Sequence, residues 1–325
     1  MTDAGRARSL VTGGGGFIGA HLVRALLARG ERVTVLDDFS TGDRANLGDL
    51  RHHPRLSVVE GDVCDVRIPA ADRIYHLACP ASPVWYQRDP IRTLRTCTVG
   101  TLAVLESARS TGATVLLSST SEVYGDPAVH PQPEDYWGHV NPVGPRACYD
   151  EGKRAAEALC FSYHRQHGTA IKVARIFNTY GPGMRADDGR VISNFVVRAL
   201  AGRALELAGD GSQTRSFCYV DDLVDGLIRL MDSPDEVTGP VNLGNPEEYT
   251  IAQLADRVLD LVGGPSRIVH VPLPTDDPAR RRPDISTARR VLGWVPHTAL
   301  DDGLPRTVDH FRRQDPSTRQ AKRAG

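Results

Sequence analysis

The chain has 325 residues and nearly equal numbers of basic and acidic side chains, 39 and 40, so its formal net charge is −1 at pH 7. This balance excludes a protein that binds nucleic acid or an anionic membrane through its overall charge, and the length allows one large α/β domain or two smaller ones. The six cysteines show no CxxC spacing, and no apolar stretch is long enough to span a membrane. We therefore expect free thiols in a reducing, cytoplasmic compartment, without a disulfide framework or a metal site.

The first predicted elements are a strand near Leu10, a glycine-rich turn at 13–19 and a helix at 20–29. The turn has the spacing GxxGxxG, which lets the backbone approach a dinucleotide pyrophosphate at the N-terminus of the following helix. A second strand, at 33–36, ends at Asp37, whose carboxylate can accept both adenosine ribose hydroxyls and repel a 2′-phosphate. The pattern predicts a Rossmann-type fold that binds NAD rather than NADP; a doubly wound protein without a cofactor is the alternative.

Strand-like runs alternate with helical patterns as far as residue 176, which predicts a doubly wound parallel sheet. After Phe177 prolines and glycines become frequent, as is typical of loops that close over a site. A short apolar run at 241–243 is expected to return to the sheet. The expected units are a cofactor-binding domain at 1–178 with return segments near 213–243, a smaller C-terminal substrate-binding domain at 179–212 and 244–313, and a disordered tail at 314–325.

A YxxxK motif begins a predicted helix at Tyr149 and places Lys153 one turn further along the same face. A tyrosine titrates near pH 10, so acting as a base at neutral pH requires a lowered pKa, which the ammonium and a nicotinamide cation could supply. The motif is weak alone, but a hydroxyl-rich run at 118–125 stands at the carboxyl end of a predicted strand, where ligands bind in open α/β sheets. There Thr120 would hydrogen-bond the substrate oxygen that Tyr149 deprotonates.

Taken in order, these features resemble the extended short-chain dehydrogenase/reductases that act on nucleotide sugars. Six longer segments resemble one subfamily, the UDP-glucuronate decarboxylases: HLACPASP, STSEVYGDP, NPVGPRACYDEGKRAAE, ARIFNTYGP, DDGRVISNF and QTRSFCYVDDL. The likeness continues through 276–278 and 281–284 to 292–294 and so covers nearly the whole chain. It implies an NAD-dependent enzyme and a homodimer that pairs through the YxxxK helix and a helix near 90–111.

The resemblance also implies the chemistry. Tyr149 would take the proton of the sugar 4-hydroxyl while NAD⁺ takes the hydride from C4, leaving the C5 carboxylate β to a ketone and free to depart as carbon dioxide. Hydride return to C4 would then regenerate NAD. Lys153 would hold the cofactor ribose and lower the tyrosine pKa, with Ser121 and Glu122 near C5. Glu122 could assist proton delivery, with Arg215 as its electrostatic partner and contact to the sugar carboxylate.

The same matches assign the remaining site residues. The catalytic residues are expected to be Thr120, Ser121, Glu122, Tyr149, Lys153 and Arg215. The cofactor-binding residues are expected to be Gly13, Gly16, Phe17, Ile18, Gly19, Asp37, Asp38, Ser40, Thr41, Gly42, Asp62, Val63, Leu77, Cys79, Ser118, Tyr149, Lys153 and Thr179. The substrate-binding residues are expected to be Glu122, Asn178, Arg185, Arg190 and Arg215. A loop cap is the alternative for Asn178, and a solvated charge is the alternative for Arg190.

Three positions depart from the family pattern. Cys97 stands where asparagine is usual, Asp38 also replaces an asparagine, and Gly183 occupies the place of an arginine for which Arg185 would partly substitute. Losing the first asparagine would loosen contacts near the site. The run 280–282 could hold phosphate, although a solvated face or pairing with the preceding aspartates explains it equally well.

Other functions remain open at this point. A UDP-glucuronate 4-epimerase shares the keto intermediate but rotates it and keeps its carboxylate. A nucleotide-sugar 4,6-dehydratase would carry an Asp-Glu pair where this chain has Ser121 and Glu122. A non-catalytic NAD-binding protein would have no need of Tyr149 and Lys153. Paired histidines and acidic doublets lack a complete ligand set, so no metal is assigned.

Overall fold

The computed structural model describes residues 7–273 and 280–314, so the expected disordered tail, apart from Gln314, and the match at 276–278 lie outside the described residues. Within these ranges the strands, in chain order, are β1 (Arg8–Thr12), β2 (Arg32–Asp37), β3 (Leu56–Glu60), β4 (Arg73–His76), β5 (Thr114–Thr120), β6 (Ile171–Ile176), β7 (Thr179–Tyr180), β8 (Leu205–Ala208), β9 (Thr214–Ser216), β10 (Cys218–Tyr219), β11 (Val241–Leu243), β12 (Glu248–Thr250), β13 (Ile268–Val271) and β14 (Arg280–Arg281).

The α-helices of the same ranges are α1 (Phe17–Ala28), α2 (Pro83–Tyr86), α3 (Pro90–Arg95), α4 (Thr101–Thr111), α5 (Ala147–His167), α6 (Val191–Leu200), α7 (Val220–Asp232), α8 (Ile251–Val262), α9 (Ser286–Leu292) and α10 (Leu300–Gln314). Short 3₁₀ helices lie at Arg44–Leu50 and Ser121–Tyr124, and a π-helical turn at Thr96–Gly100 joins α3 to α4. None of these helices combines the length and apolar character that a bilayer crossing needs.

Seven parallel strands form the central sheet in the order β11-β6-β5-β4-β1-β2-β3. Six of them follow the 3-2-1-4-5-6 order of doubly wound dinucleotide-binding sheets, which confirms the predicted fold class. The apolar runs suit strands covered on both faces, and most of β1 and β5 is buried. The strand order reverses between β1 and β4, so a ligand crevice is expected at their carboxyl ends.

A smaller layer stands over this crevice. β8 pairs with β13, β9 pairs with both β12 and β14, and β7 pairs with β10. Helices α6, α8 and α10 pack together beside these strands. β11 returns to the central sheet, where it pairs in parallel with β6. The domain boundaries drawn from the sequence stay a prediction.

Candidate active site

The glycine turn between β1 and α1 brings the backbone into close approach with its neighbours. Gly13 has a φ of +73°, and a Cβ there would lie 2.8 Å from the Ala78 nitrogen. A Cβ on Gly19 would lie only 2.1 Å from the Gly13 carbonyl oxygen. Since only glycine fits at either place, the turn keeps an open backbone cradle at the N-terminus of α1.

Asp37 closes β2 beside this cradle. Its side chain is buried, with Oδ2 accepting a hydrogen bond from the Gly15 N–H at 2.7 Å and Oδ1 accepting one from the Phe39 N–H at 2.8 Å. Burial raises the pKa of Asp37, and these two backbone donors oppose the rise. Each carboxylate oxygen retains a lone-pair direction, so the group can still accept two ribose hydroxyls from the cleft.

Arg92 of α3 joins two acidic side chains on the adenosine side of the cleft. Its Nη2 forms ion pairs with Asp38 and with Asp62, the latter at 3.2 Å. Asp38 also accepts hydrogen bonds from the backbone and hydroxyl of Ser40. The sequence interpretation missed Arg92, because nothing local to α3 indicates that it reaches across to β2.

The YxxxK pair of α5 lies at the end of β5 in the structure. Lys153 Nζ donates a hydrogen bond to the Ser118 carbonyl oxygen at 2.8 Å and lies 5.9 Å from the centre of the Tyr149 ring. Burial, and then the nearby Cys79, raise the pKa of Tyr149 well above its usual value, while a hydrogen bond with Thr120 lowers it. The protein's own groups therefore favour a neutral phenol, because burial outweighs the charged groups around it.

A second tyrosine lies against the first. The rings of Tyr86 and Tyr149 are stacked, with centres 5.0 Å apart and planes 1° from parallel. The Tyr86 hydroxyl is buried and has no hydrogen-bond partner among the described residues. An unpaired buried donor at a cleft is costly, so it points to a ligand that completes it. The sequence analysis did not single out Tyr86.

Glu122 lies in the 3₁₀ helix after β5 and is clamped by two guanidinium groups. Arg146, from the start of α5, and Arg281, from β14, form short ion pairs with its two oxygens. Burial alone would raise the pKa of Glu122, but Arg281 and Arg146 lower it to about 2. Beside this cluster, burial and the charge of Glu122 raise the pKa of Asp150 to about 7.

This cluster corrects two expectations from the sequence. The electrostatic partners of Glu122 are Arg146 and Arg281, whereas Arg215 donates to the Thr214 carbonyl oxygen at 2.8 Å and faces the neighbouring pocket. The run 280–282 is not a uniformly solvated face, since Arg281 is only 3% exposed. Its pairing was missed because β14 is joined to Glu122 only through the tertiary fold.

The predicted site residues converge on one cleft at the carboxyl edge of the sheet. All of them line it except Arg215, which lies in an adjoining pocket. The two cavities share a wall made of Ala81, Glu122, Asn178, Thr179 and Arg190. One continuous crevice therefore runs from the glycine turn, past Tyr149, to the smaller layer.

Arg185 and Arg190 stand at the mouth of this crevice. Arg185 lies 4.6 Å over the Trp85 ring, pairs with Asp187 at 2.8 Å and reaches the Thr41 carbonyl oxygen at 3.4 Å. That position is beside the predicted cofactor residues rather than deep in the adjoining pocket. Arg190 donates to the Ala81 carbonyl oxygen at 2.9 Å.

The chain is similar to one protein family and to named members of it. A family model described as the NAD dependent epimerase/dehydratase family matches residues 9–244. UDP-glucuronic acid decarboxylase 3 of Arabidopsis thaliana is 54% identical over 306 residues, which are 94% of this chain and 89% of that protein. UDP-glucuronic acid decarboxylase 1 of Danio rerio is 52% identical over 314 residues, which are 97% of this chain and 75% of that protein.

Two solved structures are informative neighbours. UDP-glucose 4-epimerase of Thermotoga maritima, solved with UDP-glucose, has a TM-score of 0.86 and 30% identity, covering 94% of this chain and 99% of its own. UDP-glucuronic acid 4-epimerase from Bacillus cereus, in complex with UDP-glucuronic acid and NAD, has a TM-score of 0.86 and 27% identity, covering 95% and 100%.

Proposed function

The chain belongs to the NAD dependent epimerase/dehydratase family, and we propose that within it this enzyme decarboxylates UDP-glucuronate to UDP-xylose through a 4-keto sugar. The observation that carries the proposal is identity above 50% over more than nine-tenths of the chain to proteins named UDP-glucuronic acid decarboxylases. The 4-epimerase that binds UDP-glucuronic acid has the same fold but about half that identity, 27%. Tyr149, Lys153 and Glu122, which line the cleft, fit the same reaction.

The cleft fits a dinucleotide. The glycine cradle leaves room for a pyrophosphate against the backbone, and Asp37 can accept the adenosine ribose hydroxyls. Lys153, anchored to the Ser118 carbonyl, stands where it could donate to the other ribose. Bound in this cleft, NAD would supply reversible hydride transfer at sugar C4, and its cationic ring would favour ionisation of a nearby phenol.

Tyr149 accepts the proton of the sugar 4-hydroxyl in this proposal. Thr120, whose side chain lowers the pKa of Tyr149, lines the same cleft as the phenol, so a substrate oxygen can contact both hydroxyls. Stacking on Tyr86 fixes the ring plane, so the phenol oxygen keeps one position relative to β5. Once C4 is a ketone, the C5 carboxylate belongs to a β-keto acid and loses carbon dioxide readily.

Glu122 acts as a fixed anion. A carboxyl group with a pKa near 2 is ionised at neutral pH, so it cannot itself donate a proton without first taking one up. Its role is to hold Arg146 and Arg281 in the lining of the adjoining pocket, which we assign to the substrate. The unpaired Tyr86 hydroxyl, in the same pocket, supplies a donor for the sugar.

A homodimer is the assembly that the exposed surface favours. Apolar side chains are exposed along one segment of the chain: Ile91 at 80%, Leu94 at 42%, Val99 at 41% and Leu102 at 40%. They fall on α3, the π-helical turn and α4, the segment for which the sequence resemblance implies pairing with a second copy. Exposed apolar patches of this kind mark interfaces. The six free thiols suit the reducing cytoplasm as the compartment.

The test is incubation of the purified protein with UDP-glucuronate and NAD⁺, following carbon dioxide and the sugar by proton NMR. We expect carbon dioxide together with UDP-xylose. Formation of UDP-galacturonate without gas would establish the 4-epimerase instead. No change in either signal, in a folded protein that retains NAD, would overturn both assignments.

A further inference from the structure

Two cysteine thiols meet in the wall of the cleft beneath the YxxxK pair. The Sγ atoms of Cys79 and Cys97 lie 3.2 Å apart, although they come from different elements. Cys79 follows β4 and borders the cleft, whereas Cys97 lies in the π-helical turn and is 2% exposed. We propose that this pair is a site of reversible oxidation by hydroperoxides and that the resulting disulfide slows the enzyme.

The geometry needs only a small movement. A disulfide bond is about 2.05 Å long, so the two sulfur atoms must approach by about 1.2 Å. Cys97 packs closely against Gly152 of α5: a Cβ added to that glycine would lie 3.0 Å from the Cys97 Cβ and 3.2 Å from its Sγ. Gly152 immediately precedes Lys153 and lies within one turn of Tyr149. A shift of Cys97 toward Cys79 therefore disturbs the contact that supports the catalytic turn.

The charges around the pair divide the roles of the two sulfurs. The hydrogen bond from Cys79, and the nearby Lys153 ammonium, lower the pKa of the Cys97 thiol against the effect of its burial. Burial raises the pKa of Cys79. Cys97 is therefore the better nucleophile toward a small peroxide that enters from the cleft past Cys79, which borders it.

The reaction balances with one hydrogen peroxide. The Cys97 sulfur attacks the peroxide, the O–O bond breaks, and Cys97 becomes a sulfenic acid with release of one water. The Cys79 sulfur then attacks that sulfenic acid, its proton leaves with the displaced hydroxide as a second water, and the S–S bond forms. The two thiols lose two electrons in all, and the peroxide oxygens gain them. A dithiol reductant reverses the change by thiol–disulfide exchange.

Cys148 offers a matched control. It is a third thiol in the same region, but its Sγ lies against the Tyr86 carbonyl oxygen at 3.6 Å rather than against another sulfur. Its removal leaves the proposed bond possible, whereas Cys97→Ser removes the bond and keeps a similar volume. Should Cys97→Ser fold poorly, Cys97→Asn restores the residue usual in the resembling family and tests the same point.

The experiment treats the NAD-loaded protein with increasing hydrogen peroxide, blocks free thiols, and identifies cross-linked peptides by mass spectrometry, alongside the rate of UDP-glucuronate turnover. We expect a Cys79–Cys97 cross-link, a loss of rate of up to about 100-fold from the displaced catalytic turn, and recovery with dithiothreitol. Cys148→Ser should respond like the wild type, and Cys97→Ser should keep its starting rate.

Two results would overturn the proposal: absence of the Cys79–Cys97 cross-link when other thiols are oxidised, or equal, peroxide-dependent loss of rate in Cys97→Ser. The cross-link is read without any substrate, so it stands or falls separately from the proposed decarboxylation. If the wild type shows the cross-link and no turnover even when reduced, the substrate assignment fails and the oxidation site remains.

Discussion

The glycine cradle and the Glu122 cluster lie at opposite ends of one crevice but are held by different forces. At the cradle, the chain is held through backbone hydrogen bonds, as where the Gly16 N–H donates to the Gly13 carbonyl oxygen at 3.1 Å and the Gly13 N–H donates to the Leu36 carbonyl oxygen of β2 at 2.9 Å. In the cluster, Glu122 pairs with Arg281, which is 159 positions away. The glycine cradle depends on the shape of the backbone, whereas the Glu122 cluster depends on buried charges.

This difference predicts which changes should disrupt the cradle and which should disrupt the Glu122 cluster. Backbone hydrogen bonds and the space left by glycines do not depend on protonation, so the structure of the cradle should change little with pH. Adding side-chain atoms to its glycines should have a large effect. Neutralising or removing one partner of a buried ion pair leaves the other charge buried without compensation. The stability of the cluster should therefore depend on pH, while conservative changes of side-chain size should have a smaller effect.

The largest effect is expected at Tyr149, which lies between the two ends. Tyr149→Phe removes the proton acceptor while keeping the ring that stacks on Tyr86, so kcat should fall by about 10³- to 10⁴-fold. Affinity for NAD, measured by calorimetry, should stay near the wild-type value. A rate within about tenfold of wild type would mean that another group takes the proton.

Glu122→Gln tests the charged end through pH. The folded pKa of Glu122, about 2, lies below its ordinary value of 4.5, so the cluster stabilises the fold fully above about pH 4.5 and loses that contribution as pH falls toward 2. In the wild type, the free energy of unfolding measured by urea titration should fall by about 3 kcal/mol over this pH range because Glu122 becomes protonated. The Glu122→Gln variant should lack that pH dependence. Exposed Glu60, replaced in Glu60→Gln, provides the control and should leave the profile unchanged.

Gly19→Ala tests the shape of the cradle. The new Cβ would lie 2.1 Å from the Gly13 carbonyl oxygen, whereas the same change at Gly16 meets that oxygen at 3.2 Å. We expect calorimetry to show NAD affinity reduced by about 100-fold, or about 2.7 kcal/mol, in Gly19→Ala, and a much smaller loss in Gly16→Ala. Equal affinities in the two variants, with circular dichroism showing both folded, would contradict the steric explanation.

The smallest effect concerns the coenzyme. Asp38→Asn removes one of the two carboxylates that hold Arg92, which frees part of its charge for a 2′-phosphate. The preference for NAD over NADP should fall by about tenfold in binding measurements. The control is Asp65→Asn, which breaks the ion pair between Asp65 and Arg95, the other arginine of α3. This variant should leave the preference for NAD unchanged, and a similar fall in both variants would argue for a general charge effect.

The central sheet and the cradle were predictable because their signals are local. Apolar runs, glycine spacing and the acidic end of β2 all lie within short windows of the sequence, and the helical period alone places Lys153 beside Tyr149. The partners of Glu122 were not predictable in the same way. Arg146 lies three positions before Tyr149, which offered a faint signal, but Arg281 reaches the cluster only because β14 pairs with β9.

The unpaired hydroxyl of Tyr86 and the thiol contact of Cys97 were also not predictable from the sequence. Each residue is unremarkable in its own segment and acquires its meaning from a neighbour brought in by the fold, Tyr149 in one case and Cys79 in the other. The sequence marked Cys97 as a departure from a family pattern, yet the pattern carried no information about which atom would face it.

The return of β11 to the sheet has a consequence for synthesis. β6 is complete at Ile176, but the strand that covers its outer edge ends at Leu243, and buried Asn242 then accepts from the Tyr124 hydroxyl and donates to the Gln132 and Asp284 carbonyl oxygens. A nascent chain emerging from the ribosome thus carries an open strand edge until the seventh strand arrives. Because unpaired edges template aggregation, truncations that end before β11 should be recovered mainly as insoluble protein.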